Sequence, residues 1–256
     1  MKITVLGSGT SQGIPVIACD CEVCRSLDYR DKRLRVSIHI EVAGKSLVID
    51  TGPDFRQQML RERIKQVDAV LYTHQHKDHT AGMDDLRSYN FIQNKDIPIY
   101  ARKEVIVQLQ QEFSYIFVPK EKKYPGVLSV ETFEIYNESF WVEGIKILPI
   151  EVLHYRLPVF GFRIGDFAYI TDVNYIAEAE LQKLKGVRHL ILGALQRETH
   201  ISHYSLEQAI EVIGKIKPEK AYLTHLSHRM GLHAEVEKEL PEGIFLAYDG
   251  LQIVLP

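Results

Sequence analysis

Cysteine is scarce in this chain and confined to one place: of 256 residues, only Cys19, Cys21 and Cys24 are cysteines. An odd number clustered so tightly cannot build the disulfide framework of a small secreted domain, and it points instead to a metal clip. Long apolar runs are missing as well. None approaches the roughly 18 residues that a bilayer span requires. Residues Met1 to Gly7 lead straight into a strand and a glycine loop, without the pattern of a signal peptide. Both absences lead us to expect a cytoplasmic protein with no membrane partner. Excess positive charge is absent too: 31 Lys and Arg against 34 Asp and Glu leave a formal net charge of −3. Such a balance exerts no general pull on nucleic acid. No segment rich in Pro, Gly or Ser could serve as a linker, so residues 1–256 read as one domain, large enough to bury a substantial core. The sequence leaves a homodimer open.

What is present is a dense set of metal donors. His74, His76, Asp78 and His79 form the run His-x-His-x-Asp-His. Imidazole nitrogens and carboxylate oxygens are the ligands that hold zinc and similar divalent ions. Donors packed this closely face one point only if the backbone curls around it. The apolar stretch 68–72 reads as a buried strand and 80–90 as a helix, which places the run on the loop between them.

Around it, apolar alternation predicts strands over 2–6, 35–43 and 46–50, then a helix over 53–63 opened by Pro53. A helix over 103–117 and a short basic loop over 119–126 follow; we read that loop as a solvated connection. In the second half, strands are expected over 130–135, 145–150, 161–164, 167–171, 189–192 and 221–224, and helices over 176–184, 205–216 and 233–240. A final hairpin would turn at Asp249 and Gly250. Strands interleaved with long helices indicate an α/β layered architecture. The glycines Gly7, Gly9 and Gly13 do not match a dinucleotide fingerprint, because Pro15 and the cysteines occupy the place where the helix should start. They are expected to let the backbone turn tightly beside the metal loop.

Further donors fall at the carboxyl ends of predicted strands: His154, Asp172 and His225, with Asp50 ending an earlier one. With these residues in this order, the chain resembles the metallo-β-lactamase superfamily. The resemblance implies a four-layer αββα sandwich with His74, His76 and His154 on one metal, Asp78, His79 and His225 on a second, Asp172 bridging, and Asp50 bracing the loop. Within the superfamily it is similar to the phosphodiesterases, above all to the family that hydrolyses phosphoribosyl 1,2-cyclic phosphate. Three features carry this: the glycine loop followed by Cys19, Cys21 and Cys24; His225 and His228 three apart; and His203 at the start of a helix. In that subgroup the three cysteines and the second histidine hold a structural zinc, which implies Cys19, Cys21, Cys24 and His228 here. A Cys3His set is also a closed tetrahedral zinc site on its own chemistry.

The expected activity is therefore hydrolysis of a small, cyclic phosphate ester by a hydroxide bridging two divalent ions, zinc or manganese, with His203 and Asp78 as catalytic groups. His203 would protonate the leaving alkoxide or bind a phosphate oxygen. Other hydrolases of the fold (a lactonase, a thioesterase, a tRNA 3′-processing nuclease) and a non-hydrolytic accessory protein of cofactor biosynthesis are the alternatives. His200 and Arg87 are further candidates for substrate contact. His39, His189 and His233 are expected in solvated or capping roles.

Overall fold

The computed structural model describes residues 1–255. The chain opens with β1 (Lys2–Gly7), a one-turn helix α1 (Glu22–Arg25), β2 (Ser37–Val42), β3 (Lys45–Ile49), helix α2 (Phe55–Arg61) and β4 (Ala69–Leu71). It continues through α3 (Lys77–Thr80), α4 (Arg87–Gln93), β5 (Ile97–Ala101), α5 (Lys103–Glu112) and β6 (Val130–Glu134). Next come β7 (Phe140–Val142), β8 (Ile145–His154), β9 (Leu157–Ile164), β10 (Phe167–Ile170), β11 (Tyr175–Ile176), α6 (Glu178–Lys183) and β12 (His189–Gly193). Helix α7 (Leu206–Ile216), β13 (Lys220–Thr224), α8 (His233–Glu239), β14 (Ile244–Leu246) and β15 (Gln252–Val254) complete it. No helix among the described residues is long and apolar enough to cross a membrane.

Two sheets result, ordered β15-β1-β2-β3-β4-β5-β6 and β11-β8-β9-β10-β12-β13-β14, with β7 paired to β8. Their inner faces meet through Ile3, Ile38, Ile40, Leu47 and Ile49 from one side and Ile147, Phe160, Phe162, Phe167 and Tyr169 from the other. Outside the first sheet, Phe55 and Met59 of α2, Tyr89 of α4 and Val105 and Leu109 of α5 pack on Val48, Val70 and Ile99. Outside the second, Ala209, Val212 and Ile213 of α7 and Val236 of α8 cover Ala168, Ile170, Leu190, Leu192 and Leu223. Three apolar interfaces separate four layers, which is the αββα sandwich. Truncating a side chain such as Phe162 to Ala in the central interface should cost about 3 to 5 kcal/mol.

Local chemistry sets several element ends. Ser205 accepts from the Gln208 backbone N–H while the Gln208 side chain accepts from the Ser205 N–H, a capping box that starts α7 where expected. The helix anticipated over 80–90 is broken, with a 3-10 turn at Met83–Leu86 between α3 and α4. The break sits at Gly82, where a Cβ would lie 2.2 Å from the Gly52 carbonyl oxygen, so this turn packs directly onto the backbone that leaves β3. The expected final hairpin is not one: β14 pairs with β13 and β15 with β1, so the turn at Asp249 and Gly250 carries the chain from one sheet to the other. Asp249 fixes that crossing by accepting from Ser8 N at 2.9 Å, Ser8 Oγ at 2.8 Å and Leu34 N at 2.8 Å.

Strands β3 and β4 run parallel, as do β10, β12 and β13, so within each sheet their carboxyl ends share one rim. Ligands of open α/β sheets gather at such rims.

Candidate metal centre

The strand ends deliver the side chains to this rim. Asp50 follows β3 with φ +65° and His225 follows β13 with φ +60°, left-handed positions that non-glycine residues rarely occupy. His154 ends β8, and Asp172 lies two residues beyond β10. His74 is on the loop leaving β4, and Asp78 and His79 lie on α3, held against β3 because Thr51 N–H donates to the His79 carbonyl at 2.7 Å. Gly52 is needed there, since a Cβ on it would come within 2.1 Å of the Asp78 carbonyl oxygen.

Hydrogen bonds determine which ring nitrogens are free. Asp50 Oδ2 accepts from His79 Nδ1 at 2.7 Å and from Thr73 Oγ1 at 2.8 Å. Thr73 Oγ1, its proton thus committed, accepts from His74 Nδ1 at 3.0 Å. The Ser202 carbonyl, which can only accept, takes His154 Nδ1–H at 2.9 Å. All three rings are therefore anchored through Nδ1 with Nε2 turned away from these partners, the outer-shell arrangement that presents histidine to a metal. Thr73 and Ser202 are the supporting residues that the sequence reading missed; neither sits in a motif.

The opposite edges of these rings converge. His74 Nε2 lies 3.0 Å from His76 Nδ1, close to the roughly 3.0 to 3.4 Å spacing of two nitrogens each about 2.1 Å from one ion. His79 Nε2 lies 3.2 Å from Asp78 Oδ2 and 3.2 Å from Asp172 Oδ2, and His225 Nε2 lies 3.3 Å from Asp172 Oδ1. Both His225 nitrogens and His79 Nε2 are buried without a hydrogen-bond partner. Orphaned buried groups of this kind are costly unless something pairs with them. Burial opposes charge on His79, yet Asp172, Asp78 and Asp50 outweigh it and hold the imidazole well above its ordinary range. Burial likewise opposes ionisation of Asp172, but His225 and His79 hold its carboxyl well below. The cluster thus calls for positive charge at its middle, and divalent cations fit it. The rim donors fall into the sets His74, His76, His154 and Asp78, His79, Asp172, His225, each within 4.8 Å, and His203 comes within the same distance of His154 and Asp172.

A second cluster lies apart. Backbone pairing of Gly9 with Leu226 brings the glycine loop beside the segment after β13, and the cysteines that follow meet His228. Cys19, Cys21 and Cys24 Sγ lie 3.2, 3.4 and 3.6 Å from His228 Nδ1. The S···N edge of a tetrahedral zinc site is about 3.6 Å for bonds of about 2.3 and 2.1 Å, so zinc fits. A hydrogen bond from Cys24 N–H lowers the Cys21 thiol to about 6, whereas burial pushes Cys24 up to about 11.

His203 is brought to the rim. Its ring stacks on His225 with centroids 4.8 Å apart, lies 4.5 Å from His154, and places Nδ1 3.9 Å from Asp172 Oδ1. Burial and His225 push it down to about 3, so it stands neutral at pH 7. His200 sits farther out, exposed, its centroid 5.4 Å from His203. Arg87 is not brought to the cluster: it pairs with Asp84 at 3.5 Å and lines a groove between α2 and α4. The solvated role expected of His39, His189 and His233 is overturned, because all three are buried. His233 Nδ1 accepts from the buried Arg33 guanidinium at 3.0 Å.

This fold, with donors of this kind at the strand ends, defines a hydrolase of the metallo-β-lactamase type. The family described as "Beta-lactamase superfamily domain" matches residues 45–226, and the chain belongs to it. The crystal structure of a new diphosphatase from the PhnP family is similar over 98% of this chain and 96% of that one, with TM-score 0.92 and 40% identity, so the chain belongs to the PhnP family as well. Among curated proteins it is 41% identical to an octanoyltransferase of Porphyromonas gingivalis, over 100% of this chain and 52% of that protein. The chain spans about half the length of the curated relatives it matches. Zinc-bound PqqB from Methylobacterium extorquens shares the fold at TM-score 0.79 and 20% identity, each chain covered fully.

Proposed function

We propose that the chain is a dinuclear-metal phosphodiesterase acting on a small, cyclic phosphate ester. His74, His76 and His154 hold one ion, Asp78, His79 and His225 the other, and Asp172 serves both. Cys19, Cys21, Cys24 and His228 hold a structural zinc. The observation that carries the reading is His203, a ring outside both ligand sets yet stacked over the rim between His154 and His225. When bound, the two ions would supply a nucleophile at neutral pH and Lewis-acid stabilisation of a phosphoryl group. The neutral His203 ring can donate an N–H to a phosphoryl oxygen, and a phosphate anion beside it would raise its basicity toward that of a proton carrier. Asp78 Oδ2 stands 3.2 Å from His79 Nε2 and 3.7 Å from His225 Nε2, where its carboxylate would complete the ligand set of the second ion. Bracing by Asp50 and Thr73 fixes the loop before substrate arrives.

The diphosphatase activity of the relative that is 40% identical favours a second reading, cleavage of a phosphoanhydride at the same site. Acyl transfer, suggested by the name of the Porphyromonas relative, has less support: all three thiols of this chain belong to the Cys3His cluster. The test is a turnover panel on the metal-loaded enzyme: a five-membered cyclic phosphodiester, an aryl phosphodiester, a nucleoside diphosphate, a lactone and a thioester. The proposal expects kcat/KM for the cyclic ester to exceed that for lactone and thioester by about 10² or more. Preference for the nucleoside diphosphate would establish the second reading, and preference for lactone or thioester would refute both.

A further inference from the structure

A cavity of about 660 Å³ opens on the outer face of the first sheet, between β15, β1 and β2 and the segment 62–66 that follows α2. It lies at the opposite end of β3 from the metal centre: Ser46 lines it near the strand's start, and Asp50 is four residues farther on, roughly 13 Å along an extended strand. Thr4, His39 and Ser46, all buried, are among its lining residues.

The hydrogen bonds settle the tautomer of His39. Ser46 Oγ donates to the Gln66 carbonyl, so its lone pair must accept from His39 Nε2–H at 2.7 Å. His39 Nδ1 is therefore a bare acceptor. It is buried, it has no hydrogen-bond partner, and Glu41 Oε1 stands 3.8 Å away. Burial lowers the ring to about 4, so no proton fills that position at pH 7. A buried acceptor left this way destabilises the chain until a donor reaches it. Charge around the cavity has a direction too. Lys2 is paired with Glu41 and Lys45 with Glu143. Arg63 and Lys65, both exposed lining residues, form no ion pair among the described residues.

We propose that this cavity is a second ligand site, selective for a small hydroxylated phosphate ester whose phosphate meets Arg63 and Lys65 and whose hydroxyl donates to His39 Nδ1. Its volume lies within the range of small-molecule pockets, about 300 to 1,000 Å³. Neither group suffices alone, so the site discriminates against inorganic phosphate, which lacks the sugar hydroxyl, and against uncharged sugar.

Titration calorimetry on the metal-loaded enzyme with glucose 6-phosphate, inorganic phosphate and glucose tests this. Glucose 6-phosphate should bind at least about tenfold more tightly than either fragment, one good contact being worth about 1.4 kcal/mol. The double variant Arg63→Ala/Lys65→Ala, altered only at exposed side chains, should lose about tenfold in that affinity while kcat for the best ester of the turnover panel stays unchanged. His39→Phe should weaken glucose 6-phosphate and leave inorganic phosphate as it was; if that variant fails to fold, the double variant decides. No saturable binding, or glucose 6-phosphate affinity unaltered in the double variant, would overturn the proposal. Binding lost instead in Asp172→Ala would assign the ligand to the metal centre and equally overturn it.

Discussion

The two donor clusters use the same principle of convergence but differ in what surrounds them. The cysteine cluster brings three sulfurs to a single imidazole nitrogen, at 3.2, 3.4 and 3.6 Å, and a tetrahedral ion there has no free position. The rim cluster gathers seven donors braced by Asp50, Thr73 and Ser202, with His203 beside His154 and Asp172 at its edge. A closed set can only hold the chain together; a set with a neighbouring proton-bearing group can also act on a substrate. The difference teaches where to cut in order to separate folding from chemistry.

The deepest cut is at the shared carboxylate. Asp172→Ala should lower kcat for a phosphodiester by more than about 10⁴, beyond the contribution of one acid–base group, while the zinc expected in the cysteine cluster is retained. Steady-state kinetics on the purified variant would show it, and turnover within tenfold of the parent would break the assignment of Asp172 as the bridging ligand.

His203→Ala should cost about 10² or more in kcat with both rim metals retained, and more for a poor alkoxide leaving group than for an aryl one. Equal losses for the two would leave His203 as a phosphate-binding group. His200→Ala should cost much less, since its ring lies outside His203; a larger loss there would transfer the role.

Cys21→Ser should act in the other direction, removing one zinc and lowering thermal stability, because filling such a site contributes folding energy. Scanning calorimetry with metal analysis checks this, and an unchanged melting temperature with full zinc would remove the structural role from the clip.

Much of this was legible in the residues themselves. Clustered donors at strand ends, such as His74 to His79 and His225, can be read because liganding needs particular side chains at short spacing, and apolar alternation around Ile38 and Ile40 marks a strand. Other features depend on contacts distant in sequence. Asp249, a turn residue by its pairing with Gly250, pins the glycine loop more than two hundred positions away. His39 alternates with apolar neighbours as a solvent-facing residue would, yet Ser46 and Gln66 bury it. Strands β5 and β7 escaped the reading, and the helix expected over 80–90 is broken where Gly82 packs against Gly52, a contact no local pattern announces.

The most direct test of two clusters with two tasks is the metal content per chain of the parent and of two variants, measured together by plasma mass spectrometry. The account predicts three ions in the parent, one zinc in Asp172→Ala and two ions in Cys21→Ser. Loss of all three from either variant, or full content in both, would contradict it.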